Sequence, residues 1–378
     1  MRVLHVVTLL SEDGAFGGPM RVAMNDCSEL RAQGHDAVLV AAYTGNEPQV
    51  PASQAGHCQL FRSRRLLPGG FVGLVSPEMS RWLRREAGCF DVVHVHLGRD
   101  LISQLACRAI RGRVPYVVQT HGMVTLATSR RSVLRAWDWL LTRHALKHAA
   151  ERYVLTDREL TEMSRQFPGP FSSLPNGVPE LSRKAVPADR LDVLYAARLA
   201  RRKRPALFVE AGTQVLESGV EATFSLVGPD EGELLAVQEQ IARSGFPDQL
   251  RYEGALDYDS VLDRLQRADV YVLPSIDEPF PMSLLEALSA GLPVICMESC
   301  GLAPALREHQ AGIVCRDDGT DLATRLVEVL TNPALRKDLG ESGARLVREK
   351  FSMESVVRRL ARDYTAISGA WQASRSTR

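Results

Sequence analysis

Two glutamates, Glu278 and Glu286 in EPFPMSLLE, carry the strongest chemical signal in the chain. They follow the apolar run YVLP (271–274), with Glu278 in a loop and Glu286 in the first turns of the helix after it. A helix N-terminus offers N–H groups without intrahelical partners and the positive end of a dipole, which suits a phosphate or pyrophosphate. A carboxylate beside it can take two hydroxyls of a ribose. The pair reads as a nucleotide site; taken in isolation, it also fits a dipole-facing Glu286 and a solvated Glu278.

The second signal is AARLARRKRP, where Arg198 ends an apolar run and Arg201, Arg202, Lys203 and Arg204 occupy the loop before a helix. A guanidinium fork at Arg198 and a mobile ammonium at Lys203 could neutralise a diphosphate as its charge develops. Arg201, Arg202 and Arg204 are read as solvated loop cations. Gly17 and Gly18 precede Pro19 at a helix start and permit close backbone approach to a ligand. GAFGG (14–18) does not have the G-x-G-x-x-G register, so nicotinamide chemistry is disfavoured. His121, in QTHG after an apolar strand, is expected to project toward ligand, where an imidazole can bond a sugar or shuttle a proton. His94 and His96 are read as pointing to opposite sides of their strand, so that one of them faces the ligand and the other the core. No Asp, Glu or His cluster has metal spacing, and no metal is expected in the chemistry.

These residues need rigid elements to hold them, and the chain supplies an alternation of apolar runs and helical patterns. In the first half the runs are 3–9, 35–42, 91–97, 114–122 and 151–156; in the second, 191–198, 222–228, 250–254, 268–275, 292–297 and 311–315. Near-continuous apolar strands separated by helices predict parallel sheets covered on both faces. SSLPNGVPELSRKAVPAD (172–189) breaks the pattern with prolines and a glycine, so the boundary is placed there. The fold class is α/β, with two facing doubly wound domains and an interdomain cleft, ligands binding outside the carboxyl ends of the strands.

The 378 residues are 45% hydrophobic and 24% charged, which excludes disordered and disulfide-scaffold classes. No stretch has the length of a membrane span and the N-terminus lacks a cleavage site, so the protein is expected in the cytoplasm. The seven cysteines are scattered and are read as reduced core thiols. Residues 1–185 hold 23 basic and 16 acidic side chains, whereas 186–378 hold 23 and 29. The excess peaks within 51–150, where 15 basic residues meet only Glu78, Glu86, Asp91, Asp100 and Asp138. Two stretches carry it, 61–86 and 129–149. In the second, Arg130, Arg131, Arg135, Arg143 and Lys147 alternate with Leu134, Trp137, Trp139, Leu140 and Leu141. Both stretches look like basic amphipathic helices, which fit either a peripheral contact with an anionic membrane or a core helix with a solvated basic face. No nucleic-acid motif accompanies them, and nucleic acid is not expected as a partner.

Together the motifs resemble glycosyltransferase family 4, retaining nucleotide-sugar enzymes of the GT-B fold with two Rossmann-like domains. Glu278 to Glu286 is similar to the family's E-x7-E element, Ala197, Arg198 and Leu199 through Lys203 to its basic element, and GGPMRV (17–22) to its N-terminal glycine loop. THG (120–122), LPNGV (174–178), LVGPDEG (226–232) and ADVYVLPS (268–275) extend the likeness over nearly the whole chain.

The resemblance implies that Glu286 holds the ribose, that Arg198 and Lys203 bind the diphosphate, and that Glu278 with the backbone of Phe280, Pro281, Met282 and Ser283 holds the donor sugar. His121 and Gly17 or Gly18 would complete the site. It further implies an acceptor-binding domain over 1–180, a hinge at 181–189, a donor domain over 190–354, and a C-terminal helix at about 355–378 packing back on the first domain. The donor would be a nucleotide-diphosphate sugar, UDP- or GDP-linked, used with no tightly bound cofactor and no metal. The acceptor would be a glycan, a lipid-linked species or a small molecule, in polysaccharide, envelope-glycan or glycolipid assembly; apart from the resemblance, the basic excess of 51–150 with Trp137 and Trp139 fits a place in the cytoplasm at the inner face of the membrane. The leaving phosphate would assist deprotonation of the acceptor on the same face, so no protein nucleophile is assigned.

The chain departs from the family pattern at Ala197 and Arg204, where glycines are usual, and at Pro279 and Pro281 in the sugar loop. Pro281 has no N–H to give. The neighbouring amides remain, so adjusted donor contacts are expected with activity kept. A nucleotide-sugar epimerase on the same fold needs acid and base groups around the sugar, and the E-x7-E plus Arg/Lys set argues against it. A non-catalytic nucleotide-sugar binder is disfavoured by the retention of Arg198, Lys203, Glu278 and Glu286.

Overall fold

The apolar run near the start of the chain forms β1 (Arg2–Leu9), buried along almost its whole length as a central parallel strand must be. The computed structural model describes residues 1–9, 17–50, 54, 56–67, 70–124, 136–184 and 190–376. Gly14, Arg130, Arg131, Leu134, Arg135, residues 185–189 of the expected hinge and the last two of the C-terminal segment lie outside the described residues. The described chain divides into two compact units, Met1–Gly177 with Met353–Arg378, and Val178–Ser352.

In the first unit β1 is followed by β2 (Asp36–Tyr43), β3 (Cys58–Arg62), β4 (Arg64–Arg65), β5 (Leu74–Val75), β6 (Val92–His96), β7 (Tyr116–Gln119), β8 (Glu151–Val154) and β9 (Ser172–Ser173). Seven of these form one sheet in the order β3-β2-β1-β6-β7-β8-β9, every pair parallel, while β4 and β5 pair antiparallel. The connections leave β1 toward β2 on one side and reach β6 on the other, so the strand order reverses between β1 and β6. One face packs Leu4, Val6, Val40, Val93 and Val95 under the helices Pro77–Glu86 and Leu101–Ile110. The other packs Val3, Val7, Leu39 and Val92 under Gly17–Ala32 and Met353–Ser376, the latter inserting Val356, Val357, Leu360 and Tyr364.

The second unit repeats the plan with β10 (Leu191–Ala196), β11 (Ala222–Val227), β12 (Leu250–Gly254), β13 (Val270–Leu273), β14 (Val294–Met297) and β15 (Ile313–Cys315). Their order is β12-β11-β10-β13-β14-β15, again all parallel, with the reversal between β10 and β13. Gly228 closes the first reversal strand's neighbour at φ 144°, and a Cβ there would lie 2.0 Å from the Ala197 carbonyl oxygen, so LVGPDEG needs its glycine.

Three expectations are corrected. Residues 61–86 are not one basic helix: β3, β4 and β5 come first, and only Pro77–Glu86 is helical, started by Ser76 accepting from Met79 N–H. The segment expected to hinge at 181–189 is tied to the second unit at its start. Leu181 N–H donates to Ser289 Oγ at 3.1 Å, Lys184 N–H to Gln266 O at 2.8 Å, and Lys184 Nζ meets Asp263 at 2.7 Å. The chain therefore passes between units at Gly177–Val178 and Ser352–Met353. Gly177 in LPNGV is held by packing, since a Cβ there would lie 2.8 Å from Met353 Cα. Finally, the cysteines are free but not all in the core: Cys89 is exposed and Cys58 half-buried. No helix among the described residues is long and apolar enough to cross a membrane.

Candidate active site

The carboxyl ends of β10 and β13 lie side by side at the reversal of the second sheet, where an open α/β sheet offers its binding crevice. Arg198 and Lys203 follow β10; Glu278 and Glu286 follow β13. Lys203 is nearly buried, with 12% of its side chain exposed, and its Nζ lies 2.5 Å from Glu278 Oε2, itself on a side chain 11% exposed. Burial draws the Lys203 ammonium below the ordinary lysine value, and the Glu278 carboxylate opposes that shift.

Arg202 also reaches Glu278 Oε2, at 2.8 Å, and the Asp277 carbonyl at 3.3 Å. This corrects its reading as a solvated cation. Arg204 is likewise engaged, donating to the carbonyls of Asp317 at 2.6 Å and Asp318 at 3.3 Å. Arg204 adopts φ 54°, the left-handed region, which accounts for a glycine being usual there; the two carbonyl bonds help hold an arginine in that conformation. Arg198 stands further out and pairs with Glu231 at 2.6 Å, while its carbonyl accepts from Tyr195 OH.

The helix Met282–Ser289 starts after Pro281, whose own side chain makes no capping bond. Pro281 is buried, Phe280 packs against Phe351 with ring centroids 6.0 Å apart, and Ser283 Oγ shares a 2.7 Å hydrogen bond with Tyr271 OH, so the segment is anchored to β13. Met282 is half-buried at the first helical position. Glu286 is 3% exposed and accepts from Tyr258 OH at 2.9 Å. The loop between the two glutamates is braced by Gly301, whose N–H donates to the Glu278 carbonyl at 2.8 Å and whose missing Cβ would sit 1.9 Å from the Pro279 oxygen.

In the first unit Gly17 and Gly18 open the helix Gly17–Ala32, the first described element after β1. His121 follows β7 at φ 50°, with Gly122 at φ 72°, in a tight turn closed by Met123 N–H on the Thr120 carbonyl at 2.8 Å. The turn is pinned by Glu159, whose carboxylate accepts from Thr120 Oγ1 at 2.6 Å, Gly122 N–H at 2.7 Å and Leu155 N–H at 2.7 Å. Glu159 escaped the sequence reading, although Thr156-Asp-Arg-Glu159 carries the capping-box spacing and Thr156 does accept from the Glu159 N–H. Tyr258 and Glu231 were also missed and have no local signature.

His94 and His96 correct a second expectation. Residues two apart on a strand share a face, and both rings lie buried on the face under Met353–Ser376, stacked 4.7 Å apart with planes 3° from parallel. His5 on the adjacent β1 joins them, placing ligand-capable atoms of His5, His94 and His96 within 4.8 Å of one another. Spacing in sequence could not show this cluster. It does not fit a metal ion: imidazole lone pairs lie in the ring plane, and the near-parallel rings of His94 and His96 do not converge on a common point. Both nitrogens of His96 are also engaged, with His5 Nδ1 at 3.1 Å and His121 Nε2 at 2.7 Å. Burial lowers all four histidines, His5 and His121 to about 3, so the cluster is neutral.

Comparison with known proteins agrees with this geometry. The family described as Glycosyltransferase Family 4 matches residues 16–180, and that described as Glycosyl transferases group 1 matches residues 179–346. A D-inositol 3-phosphate glycosyltransferase of Streptomyces bingchenggensis is 28% identical over 342 residues, covering 82% of this chain and 74% of its own. A phosphatidyl-myo-inositol mannosyltransferase of Mycobacterium leprae is 28% identical over 310 residues, 79% of each chain. Among solved structures, Anabaena HepE in complex with UDP superposes with a TM-score of 0.75 at 15% identity, covering 97% of this chain and 100% of its own. With two parallel-sheet units, the basic and acidic elements meeting at one sheet reversal, and both halves matched, the chain belongs to glycosyltransferase family 4 and is a glycosyltransferase of the GT-B fold.

Proposed function

We propose that the protein is a retaining hexosyltransferase that takes its sugar from a nucleotide diphosphate, with Val178–Ser352 holding the donor and Met1–Gly177 the acceptor. The observation that carries this reading is the convergence of Lys203 and Glu278 at the reversal between β10 and β13, flanked by Arg198, Glu286 and the start of the helix Met282–Ser289. A diphosphate set there meets the ammonium of Lys203 and the guanidinium of Arg198, and charge developing on the leaving phosphate is met by cations already in position. Glu286, oriented by Tyr258, is suited to the ribose hydroxyls, and Glu278 with the Phe280–Ser283 backbone to the sugar. The cations supply the charge partner of the leaving group, so the reaction needs no metal, and the phosphate itself takes the acceptor proton.

The first unit supports this with groups suited to hydroxyls. His121 is a neutral ring at a strand end, and among the described residues a Cβ at Gly18 would meet nothing within 4 Å, which is compatible with a ligand close to that helix start. The two relatives named above act on phosphorylated inositols by their names, and a phosphate-bearing cyclitol, free or lipid-linked, matches the basic excess of this half.

The test is transfer from UDP-, GDP-, ADP- and dTDP-sugars to inositol phosphate, with Lys203→Ala and Glu286→Ala as controls and the anomeric configuration of the product read by NMR. Retention with one nucleotide class, lost in both variants, supports the reading. Transfer that survives both variants, or an inverted product, removes it.

A second observation favours a contact with anionic lipid. Trp139 and Leu140 are 68% and 55% exposed beside Asp138, which is locked to Arg99 by paired bonds of 2.9 and 3.0 Å. Arg143, Lys147 and Arg152 follow around a cavity of about 280 Å³ floored by Leu146, Phe167 and Pro168. Exposed aromatic surface rimmed by cations suits a bilayer interface, which would bring a lipid-linked acceptor to the enzyme at the inner face of the membrane. Flotation with phosphatidylglycerol vesicles at low salt, lost with Trp139→Ala and Arg143→Glu, is expected; no flotation at low salt overturns it.

A further inference from the structure

Three histidines of the first unit are linked by hydrogen bonds, and His94 stacks on one of them, His96. His5 Nδ1 meets His96 Nε2 at 3.1 Å, His96 Nδ1 meets His121 Nε2 at 2.7 Å, and His94 Nδ1 meets Tyr364 OH at 2.5 Å. His5, His94 and His96 are at most 1% exposed.

A neutral imidazole carries one N–H, and His96 uses both nitrogens, so it donates one bond and accepts the other. The protons along His5, His96 and His121 must therefore all run the same way. In one direction His5 Nδ1–H donates to His96, His96 Nδ1–H donates to His121 Nε2, and the proton of His121 sits on Nδ1. In the other, His121 Nε2–H donates inward and the chain ends with a proton on His5 Nε2. That nitrogen is buried and without a hydrogen-bond partner among the described residues. Orphaned buried N–H donors are rarer than bare acceptors, so the first direction is favoured.

We propose that His5 and His96 are positioning residues that fix the tautomer of His121, making it a neutral Nδ1–H donor to a ligand oxygen. The ligand oxygen is a sugar hydroxyl if His121 contacts the donor sugar, a clause that rests on the function proposed above. Two devices hold the ring: Glu159 fixes the strained turn through the Thr120 hydroxyl and Gly122 N–H, and His96 fixes the ring through Nε2. A lone surface histidine would be free to exchange tautomers, whereas this one presents the same donor across the neutral pH range.

The experiment is long-range proton–nitrogen NMR on the full chain with ¹⁵N-histidine, the His121 signals assigned by their loss in His121→Gln. The expected wild-type spectrum has the proton on His121 Nδ1 and no imidazolium at pH 6. His96→Asn keeps an amide donor where Nδ1 lay and should keep the tautomer, while His96→Leu should release it to Nε2–H. Affinity for UDP-glucose or GDP-mannose should fall about tenfold in His96→Leu, the worth of one net hydrogen bond, and recover in His96→Asn.

A wild-type proton on Nε2, or a tautomer unchanged in His96→Leu, overturns the proposal. If His96→Leu does not fold, the wild-type spectrum with His96→Asn decides. A tautomer that responds while neither sugar nucleotide changes its affinity supports the relay and overturns only the assignment of His121 to the donor.

Discussion

The two sheets share one plan and furnish it differently. Each is wholly parallel and each reverses its order once, between β1 and β6 in the first and between β10 and β13 in the second. At the second reversal the groups are ionic, with Lys203 and Arg202 both on Glu278 Oε2, at 2.5 and 2.8 Å. In the first unit the groups behind His121 are imidazoles buried too deeply to hold a charge. Position on the fold therefore does not decide chemistry. Burial and the presence of a counter-ion do: a cation stays charged where a carboxylate stands beside it, and an imidazole among imidazoles discharges. Charges suit a diphosphate; neutral donors suit hydroxyls.

The sharpest way to break this contrast is at the ionic site. Lys203→Ala should lower kcat/KM by about 10²–10³, as losing one preorganised charge partner of the leaving group does, whereas His121→Ala should cost about tenfold, one neutral hydrogen bond. Equal losses in steady-state kinetics would erase the distinction. Glu278→Ala leaves the Lys203 ammonium without its partner in a nearly dry site and should destabilise Val178–Ser352 by about 3 kcal/mol, read from denaturant unfolding of that unit. Stability unchanged in this variant would mean the pair is better solvated than its burial implies.

Acid separates the units by a different route. His5 and His121 take up protons at about 3 in the folded chain and near 6.5 when unfolded. Between those values the unfolded state binds more protons, so stability rises with pH there and is lost on acidification from 6.5 toward 3. Each such histidine costs about 1.4 kcal/mol per pH unit. The histidine of the second unit is His309 alone. Hydrogen exchange at pH 5 should show Met1–Gly177 opening before Val178–Ser352, and the reverse order would sink this prediction. Arg204→Gly should have a smaller effect, within about 1 kcal/mol, because relief of the left-handed backbone is offset by loss of the bonds to Asp317 and Asp318; thermal unfolding checks it. Smallest of all is the response to EDTA, which should leave turnover unchanged because Lys203 and Arg198 already supply the charge.

Much of the fold was legible because strands buried on both faces are written as unbroken apolar runs. VLHVVTL became β1 and VYVL became β13 within a residue or two of the expected places. What the runs could not mark were strands without them: Ser172–Ser173 is too short and polar to register, and Arg64–Arg65 carries the composition of a basic surface. The faces of His94 and His96 follow from strand periodicity and were misassigned. Arg202 was misplaced for another reason. Four basic residues in one loop are alike in sequence, and which of them turns toward a carboxylate depends on the path of the short helical turn Arg201–Lys203.

The sequence by itself determined the alternation of strands and helices, the family, and the placement of Lys203, Glu278 and Glu286 after strands, because those features are encoded within a dozen residues by hydrophobic period and spacing. Only the tertiary structure decided that Lys203 shares an oxygen with Arg202, that Tyr258 orients Glu286, and that His5 and His96 stand behind His121. Their partners lie 75, 76, 28, 91 and 25 residues apart. Contacts of that range are made by strand order and register, which bring β1, β6 and β7 together and leave no trace in the spacing of the residues they join.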